Sequence, residues 1–469
     1  MVLVTLPVTS FPFIPFLGAN TQVRPLSIYP AALLLVLLGI RCIQERQLRI
    51  WSNALLPLLI FAMVSLFSSA AGILFAPINL YQGTYLGRVL RAWITLAVGV
   101  VFLITSIGIN RNEQDLKFTL KWLYIGFAIQ AGWSVVQLFS FYVPNELVSN
   151  MVGKLVNSVQ TTFVVAGLAP HQRISGLALE PSWLAAQILT TYLPFAFVSL
   201  LNRYRWNQYA WLAPAILFVS ILLLIFTYSR SGILIAAVAM LLTALFAGWQ
   251  QITQAWHWFL HPFHLANPTL WRRTLDTSLR VFIIIAILAG VTGGINLLGQ
   301  NSYFAQIWKS NKTDLVSYLV DIYAGPRLAY AWAGWTIFVQ HPWTGVGLGA
   351  SGLYIRDALP DWAHFNIPEI SILLSPENTT YPNAKNLYIR LLAETGILGF
   401  WVFVSFLLLV LGKILTLLRS VRKELIFIGM AGLLSWLAIF ALGLSQDSLA
   451  MLTVWLPLGI FNGLTGLKA

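Results

Sequence analysis

Residues 209–247 read YAWLAPAILFVSILLLIFTYSRSGILIAAVAMLLTALFA, and this stretch decides the fold. Two apolar runs, Tyr209–Phe226 and Ile233–Ala247, flank a short polar break that contains Arg230. Each run approaches the length that an α-helix needs to cross a bilayer. Because the turn between them is so short, Arg230 must lie at one lip of the membrane and point into protein or water. The stretch therefore predicts a helical hairpin with an arginine at the membrane surface.

The composition extends this interpretation to the whole chain of 469 residues. Hydrophobic residues make up 58% of the chain and charged residues 9%, whereas a soluble domain carries roughly a quarter charged residues. Backbone groups inside a bilayer must be hydrogen-bonded within their own segment, so we predict an all-α polytopic membrane protein. The net charge of +13 indicates anchoring to anionic membrane lipids, and no nucleic acid is expected as a partner.

We predict about eleven or twelve transmembrane helices. The apolar runs lie near Ile28–Ile40, Ala54–Phe75, Trp93–Ile109, Trp122–Phe141, Leu184–Leu201, Tyr209–Phe226, Ile233–Ala247, Val281–Leu298, Leu398–Leu411, Leu425–Leu444 and Leu449–Leu464. Val2–Leu17, which is interrupted by three prolines, is a candidate for one further span.

Basic residues concentrate in alternate short loops. These loops contain Arg41, Arg46 and Arg49; Arg111, Lys117 and Lys121; Arg203 and Arg205; Arg272, Arg273 and Arg280; and Lys413, Arg419, Arg422 and Lys423. The positive-inside rule assigns such loops to the cytoplasm. The intervening loops, including the turn at Arg230, are then predicted to face outward.

The spans and loops divide the chain into four predicted segments. Residues 1–142 hold the N-terminal transmembrane helices, and 143–299 hold the central ones with Arg173, Glu180 and Arg230. Residues 300–385 form a large extracytoplasmic loop, and 386–469 hold the C-terminal transmembrane helices. A loop of that length is usually functional. Its segment 327–340 has amphipathic helical spacing and is too short to span, so we expect an interfacial helix there.

Several cations share the predicted outward face. Arg173, Arg230, Arg327 and Lys385 lie there, and a pyrophosphate is the ligand that most favours several cations. Guanidinium groups can stabilise a leaving diphosphate electrostatically. This face carries neither an Asp-x-Asp pair nor a nucleotide fingerprint, so neither a metal nor another cofactor is implied. The energy for a reaction would come from an activated donor carried on a lipid.

Most of these residues also have a structural alternative. Arg173 could extend to lipid headgroups, and Glu180 could favour a helix start before Pro181. Arg390 and Glu394 are four residues apart and could form an ion pair on a helix. The remaining candidates are the glycines 345, 347 and 349, which could be turns, and the histidines 257, 261 and 264, where a solvated or interfacial face is favoured over a metal site.

With these residues assembled, the chain resembles the O-antigen ligase and O-antigen polymerase superfamily of bacterial membrane glycosyltransferases. The resemblance runs from about Arg173 to the last span. It rests on the motifs Tyr228–Gly232, Arg327 with Trp335, His341–Gly347 and Asn386–Gly399. It implies an enzyme of the bacterial cytoplasmic membrane that transfers a sugar chain from undecaprenyl pyrophosphate to an acceptor hydroxyl outside the cytoplasm, without metal or nucleotide.

The resemblance also implies roles for particular residues. Arg230 and Arg327 would bind the pyrophosphate. Many ligases have a histidine, a proposed catalytic base, where this chain has Lys385, and a protonated lysine cannot act as a base. Together with Glu180-Pro-Ser-Trp183, which is more similar to the polysaccharide polymerases, this departure favours a polymerase over a ligase.

We therefore predict one set of site residues. Glu180, Arg230 and Arg327 are assigned to catalysis, and the residues assigned to substrate binding are Arg173, Lys385, Asn386, His364 and Arg390. Glu180 is ranked first among the candidates for the general base and His364 is next. The other candidates are His341, Glu394 and Asp447.

Two other classes of function stay open at this point. Some relatives have been assigned to anion or inorganic-carbon uptake, and intramembrane arginines suit a transporter too. A non-catalytic partner of an export machine would need no aligned arginines. The expected partners of an enzyme are a polyprenyl pyrophosphate-linked oligosaccharide, a sugar acceptor, membrane lipids and other polysaccharide assembly proteins.

Overall fold

The computed structural model describes residues 1–9, 25–46, 52–77, 84–142, 146–159, 173–260, 270–375 and 382–464. These residues form helices and no strand. In chain order the helices are α1 Val2–Thr5, α2 Ile28–Glu45, α3 Leu55–Gly72, α4 Tyr85–Ile109, α5 Glu113–Tyr142, α6 Glu146–Val159, α7 Pro181–Gln187, α8 Leu193–Leu201, α9 Leu212–Phe226, α10 Arg230–Ala247, α11 Trp249–Leu260, α12 Leu270–Gln300, α13 Ser302–Lys309, α14 Leu315–Asp321, α15 Gly325–Gln340, α16 Ile355–Ala358, α17 Asp361–Asn366, α18 Pro368–Leu373, α19 Leu387–Leu418, α20 Lys423–Leu442 and α21 Leu452–Leu464.

Within the described residues, nine helical segments are long and apolar enough to cross a membrane. They are Ile28–Glu45, Leu55–Phe75, Tyr85–Ile109, Glu113–Phe141, Pro181–Leu201, Arg230–Ala247, Thr274–Gln300, Leu387–Leu418 and Lys423–Leu442. α9 and α21 are shorter apolar helices. Each predicted run therefore falls on an apolar helix, and the all-α polytopic class is confirmed. The further candidate span, Val2–Leu17, contains only the short α1, and most of its remainder lies outside the described residues.

The helices pack around two hydrophobic clusters. The larger one fills the bundle and contains the aromatic side chains of Phe102, Phe195, Phe406 and Trp455. The smaller one joins the start of α4 to α15 and to the chain between 346 and 370, with Tyr330 fully buried in it. Part of the long loop is thus a packed helical layer rather than an open connection.

Four of the basic loops meet at one end of the bundle. Lys413 contacts the hydroxyl of Ser52, which in turn bonds Asn462 Oδ1 at 3.4 Å. Tyr204 donates a hydrogen bond of 2.7 Å to Glu113, and Asn202 bonds the carbonyl of Lys423 at 3.4 Å. The shared end agrees with one polarity for these loops, and its assignment to the cytoplasm stays a prediction.

Cysteine labelling tests this orientation. In a Cys42→Ser background, Lys312→Cys in the long loop should react with an impermeant maleimide in right-side-out membrane vesicles. Arg419→Cys should react only after the membrane is permeabilised, because the positive-inside rule keeps its loop in the cytoplasm. The Cys42→Ser protein alone serves as the unlabelled control. Labelling of position 419 in sealed vesicles would reverse the predicted topology.

Candidate functional site

α19 contains a break that organises the chain around it. Gly396 has φ 65° and ψ −172°, which is far from helical geometry. The amides of Val346 and Gly347 donate to the carbonyls of Ala393 and Glu394, at 3.0 and 2.9 Å, and the amide of Ile397 donates to Pro342 at 2.9 Å. The segment 342–347 thus satisfies backbone groups that a continuous helix would have satisfied itself.

Three glycines in the 345–349 segment allow this docking. Gly345, Gly347 and Gly349 have φ values of 64°, 102° and 81°. A Cβ at Gly345 would lie 2.4 Å from the backbone of Glu394, and one at Gly347 would lie 2.0 Å from the hydroxyl of Tyr85. These glycines therefore form turns that allow close backbone packing, and turns are the structural alternative that the sequence left open for them.

A buried ion pair lies just before the break. Arg390 Nε donates to Glu394 Oε1 at 3.0 Å, and Glu394 is fully buried. Ser351 donates to the same carboxylate oxygen at 2.7 Å, and Arg390 Nη1 donates to the carbonyl of Asp447 at 2.8 Å. These contacts hold Arg390 inside the protein, where it positions neighbouring elements. A direct substrate contact by Arg390 stays a prediction.

The start of α19 is fixed by polar contacts as well. The Asn386 side chain caps the helix by accepting from the amides of Tyr388 and Ile389, at 3.0 and 3.1 Å. Lys385 has a φ of 55°, and its amide donates to Asp447 Oδ2 at 2.9 Å. We call Lys385, Asn386, Arg390, Glu394 and Asp447 the α19 cluster.

The segment that begins at Arg173 enters the bundle without helical structure. Its backbone is held by two glutamines of α5: Gln137 Oε1 accepts from the amides of Ser175 and Gly176, and Gln130 Oε1 accepts from the amide of Leu177. Non-helical backbone that is buried in protein needs such partners. The segment ends at Glu180, which precedes α7 as its N-cap residue, and the Ser182 hydroxyl donates to Glu180 Oε2 at 3.0 Å.

Arg173 and Arg230 share one aromatic ring. Arg230 is the first residue of α10, and its Cζ lies 4.1 Å from the ring centre of Tyr303. The Cζ of Arg173 lies 4.8 Å from the same ring, and its Nε donates to the carbonyl of Thr227 at 2.9 Å. Both distances fall within the range of cation–π contacts.

The donors of Arg230 are only partly used. Nη1 bonds the carbonyl of Ile322, whereas Nε and Nη2 are shielded from solvent and have no hydrogen-bond partner among the described residues. Nε and Nη2 form the edge of a guanidinium that binds two oxygens of a phosphate or carboxylate side by side. Buried charged donors without partners are costly, so this edge is suited to an anionic ligand.

Two further charges act on this pair of arginines. Burial lowers the pKa of Arg173, the Tyr303 hydroxyl and Glu180 oppose that change, and the positive charge of Arg327 adds to it. Arg327 is exposed near the start of α15. We call Arg173, Glu180, Arg230, Tyr303 and Arg327 the arginine cluster. With three guanidiniums and one carboxylate, it favours an anionic ligand.

Gln446 links the two clusters. Its side-chain amide donates to the carbonyl of Ser182 at 3.1 Å, and its backbone carbonyl accepts from the amide of Leu387 at 3.2 Å. The turn at Glu180 and the start of α19 are therefore held close to one another.

The comparison with known families finds one similar family. The model of the family described as O-Antigen ligase matches residues 215–404. That part of the chain is therefore similar to the O-antigen ligase family. The similarity supports glycosyl transfer of the O-antigen ligase or polymerase type in general, and the apolar helices of the described residues fit a multi-pass membrane protein. No curated protein matches the chain.

The ligase-family region contains some of the predicted site residues and omits others. Arg230, Arg327 and Lys385 lie within it, whereas Arg173 and Glu180 precede it. The structure nevertheless places Arg173 on the same ring as Arg230. His364 is exposed on α17, whose Ala363 packs into the smaller hydrophobic cluster.

Sequence reasoning missed four residues that shape the site. Tyr303, Gln446 and Gln137 gave no signal, because an aromatic or amide side chain in a membrane protein is not unusual by itself. Arg88 could have been found by the signal that identified Arg230, because it is also an arginine on the predicted outward side. Its Nε bonds the carbonyl of Gly349 at 3.2 Å and its Nη2 bonds Asn383 Oδ1 at 3.4 Å, so it ties the 345–349 segment to the residues before α19.

The break in α19 can be tested with two glycine substitutions. Gly396→Ala should lower the free energy of unfolding by about 1–3 kcal/mol, because its φ and ψ are strained for any residue with a Cβ. That Cβ would also lie 2.2 Å from the carbonyl oxygen of Trp343. Gly412→Ala, in open space on the same helix, should be neutral or slightly stabilising. Thermal unfolding of both purified variants measures the difference, and equal melting temperatures would contradict the proposed role of the break.

Proposed function

We propose that this protein transfers an oligosaccharide from a polyprenyl pyrophosphate to a sugar hydroxyl outside the cytoplasmic membrane, and so polymerises a surface or exported polysaccharide. The observation that carries the proposal is the unpartnered edge of Arg230, which lies buried beside the guanidinium of Arg173. A diphosphate supplies several oxygens in the geometry that such an edge binds.

The partners of these arginines leave their charge available. Arg230 and Arg173 bond the carbonyls of Ile322 and Thr227 and contact the ring of Tyr303. None of these groups carries a full negative charge. In the proposed reaction the cluster stabilises the negative charge that builds up on the leaving diphosphate, which is where fixed charges have their largest effect on rate.

The proposed step is a displacement at the anomeric carbon of the donor sugar. The acceptor hydroxyl oxygen forms a bond to that carbon, and the bond from the carbon to the phosphate oxygen breaks. The electron pair leaves with the diphosphate, held by Arg230, Arg173 and Arg327. Glu180 takes the hydroxyl proton, with its carboxylate oriented by Ser182.

The prenyl chain of the donor needs an apolar surface near the arginines. A small apolar cleft between α19, α20 and α21 lies close to Glu180, because Gln446 lies on its wall and also bonds the carbonyl of Ser182. The apolar residues lining this cleft include Leu387, Tyr388, Phe403, Ile439, Leu442 and Trp455.

Lys385 supports a polymerase over a ligase within this proposal. It follows Asn383 and precedes the capping residue Asn386, in the position where many ligases have a histidine. Its fixed backbone, with the amide bonded to Asp447, suits a side chain that contacts phosphate. The acceptor would then be the sugar end of a second lipid-linked unit.

Substitution of Arg230 tests the proposed function. Arg230→Ala should lower transfer by the purified protein about a hundredfold or more, because a charge-stabilising donor is lost. Arg230→Lys should restore only part of the rate, because an ammonium cannot bind two oxygens side by side. The assay supplies a polyprenyl pyrophosphate-linked oligosaccharide in detergent and separates the products by length. A ladder of longer lipid-linked chains indicates a polymerase.

Arg419→Ala is the matched control, because Arg419 is exposed at the end of α19 in a predicted cytoplasmic loop. It should keep the rate of the unmodified protein. Full transfer by Arg230→Ala, at equal yield of folded protein, would remove Arg230 from the mechanism.

The role of Glu180 as the base is tested by Glu180→Gln, which keeps the shape of the side chain and removes its basicity. The turnover number should fall by about a hundredfold or more, while donor binding survives. Single-turnover rates and donor affinity are measured separately. Glu146→Gln, at an exposed glutamate at the start of α6, should leave both unchanged. Normal turnover of Glu180→Gln would make Glu180 structural, and His364 would be the next candidate.

A further inference from the structure

The chain from Ser302 to Tyr323 lies on the arginine cluster. It comprises α13, α14 and the two residues after them, and we call it the tyrosine cap. Tyr303 contacts both Arg173 and Arg230 through its ring, at 4.8 and 4.1 Å. The carbonyl of Ile322, at the other end of the tyrosine cap, accepts from Arg230 Nη1. Both ends of the tyrosine cap are therefore attached to the same guanidinium.

The tyrosine cap is tied together internally. The rings of Tyr303 and Tyr323 stack with their centres 5.5 Å apart. Gln306 donates to Asp321 Oδ2 at 3.0 Å, and the hydroxyl of Tyr318 donates to the carbonyl of Ile307 at 2.8 Å. These contacts join α13 to α14, so the tyrosine cap can move as one unit.

The tyrosine cap has little buried apolar surface of its own. In α13 only Ala305 is buried, and α14 has no buried residue. Segments with few buried apolar contacts open at a small cost in free energy. The contacts with the arginines therefore contribute to holding the tyrosine cap in place, together with the packing of Val320 against the smaller hydrophobic cluster.

The same contacts stand between the arginines and a ligand. The ring of Tyr303 lies over the guanidinium of Arg230, and the unpartnered Nε and Nη2 are shielded from solvent. The same ring contacts the guanidinium of Arg173, so a diphosphate that binds Arg173 and Arg230 together has to take the place of Tyr303. Since a charged hydrogen bond to phosphate is stronger than a contact with an uncharged ring, the anion can displace Tyr303.

We propose that the tyrosine cap is a lid that Tyr303 keeps closed over the arginine cluster, and that the diphosphate of the donor opens it by taking the place of the ring. The proposal rests on the proposed function, because it assumes that the anion of this site is a diphosphate. A ligand shifts such an equilibrium only by its different affinity for the two states, and here only the open state leaves the position of the ring, in contact with both guanidiniums, to the anion. The closed lid would keep water from the arginines until a donor arrives.

The proposal makes an unusual prediction for Tyr303→Leu. Loss of a residue that binds the ligand weakens affinity, whereas loss of a competitor strengthens it. Tyr303→Leu should therefore bind inorganic pyrophosphate roughly threefold to tenfold more tightly than the unmodified protein, in keeping with the strength of a cation–π contact. Isothermal titration of the full-length protein in detergent measures this change. Tyr303→Phe, which keeps the ring, should bind pyrophosphate as the unmodified protein does.

Trp308→Leu is the matched control, because Trp308 is an exposed aromatic residue of the same helix. It should leave pyrophosphate affinity unchanged. Weaker or unchanged binding by Tyr303→Leu would overturn the proposal, because the ring would then support the anion or play no part in its binding. Absence of pyrophosphate binding in all of these proteins would overturn it too.

Hydrogen exchange supplies a second readout. Pyrophosphate should speed amide exchange in residues 302–323 of the unmodified protein, and Tyr303→Leu should speed it without any ligand. Unchanged exchange in either case would exclude the lid. If exchange and affinity change as expected while the protein transfers no oligosaccharide, the lid stands and the proposed glycosyl transfer fails, so the two outcomes are distinguishable.

Discussion

The structure depends on how one broken helix keeps its backbone hydrogen-bonded inside the bundle. At Gly396 α19 leaves helical geometry, and its neighbouring carbonyls at Ala393 and Glu394 need donors from elsewhere. The amides of Val346 and Gly347 supply them. Because an unsatisfied backbone group in an apolar interior costs several kcal/mol, the 342–349 segment has little freedom to lie anywhere else.

The contacts that satisfy the break in α19 continue through bonded neighbours to both clusters. The segment that satisfies the break is followed by Ser351, which bonds Glu394 and so fixes the partner of Arg390. Arg390 in turn holds the carbonyl of Asp447, next to Gln446. Through Gln446 the start of α19 meets the turn at Glu180. Buried backbone and ion-pair contacts therefore fix the geometry of the candidate site without the help of a ligand.

The sequence predicted the helices well because membrane burial demands long apolar runs, and each run fell on an apolar helix. It also assigned Arg173 and Arg230 to the same predicted membrane face, and in the structure both contact the ring of Tyr303. It could not predict Tyr303 between them or the break at Gly396. Both depend on contacts between segments far apart in the chain, and neither residue type is unusual in its local sequence.

The two clusters show how a membrane protein can use arginine for opposite purposes. Arg390 is neutralised by the buried carboxylate of Glu394, so its charge stabilises the structure. Removal of either partner would leave the other charge buried and unpaired. Arg230 and Arg173 are oriented by carbonyl oxygens and an aromatic ring, which hold their geometry without cancelling their charge. The sequence spacing of Arg390 and Glu394 left the first arrangement open as an alternative to substrate binding by Arg390. The absence of a paired acid at Arg230, in the part of the chain that the structure describes, favours the second, and this difference is the reason that we propose the arginine cluster as the ligand site.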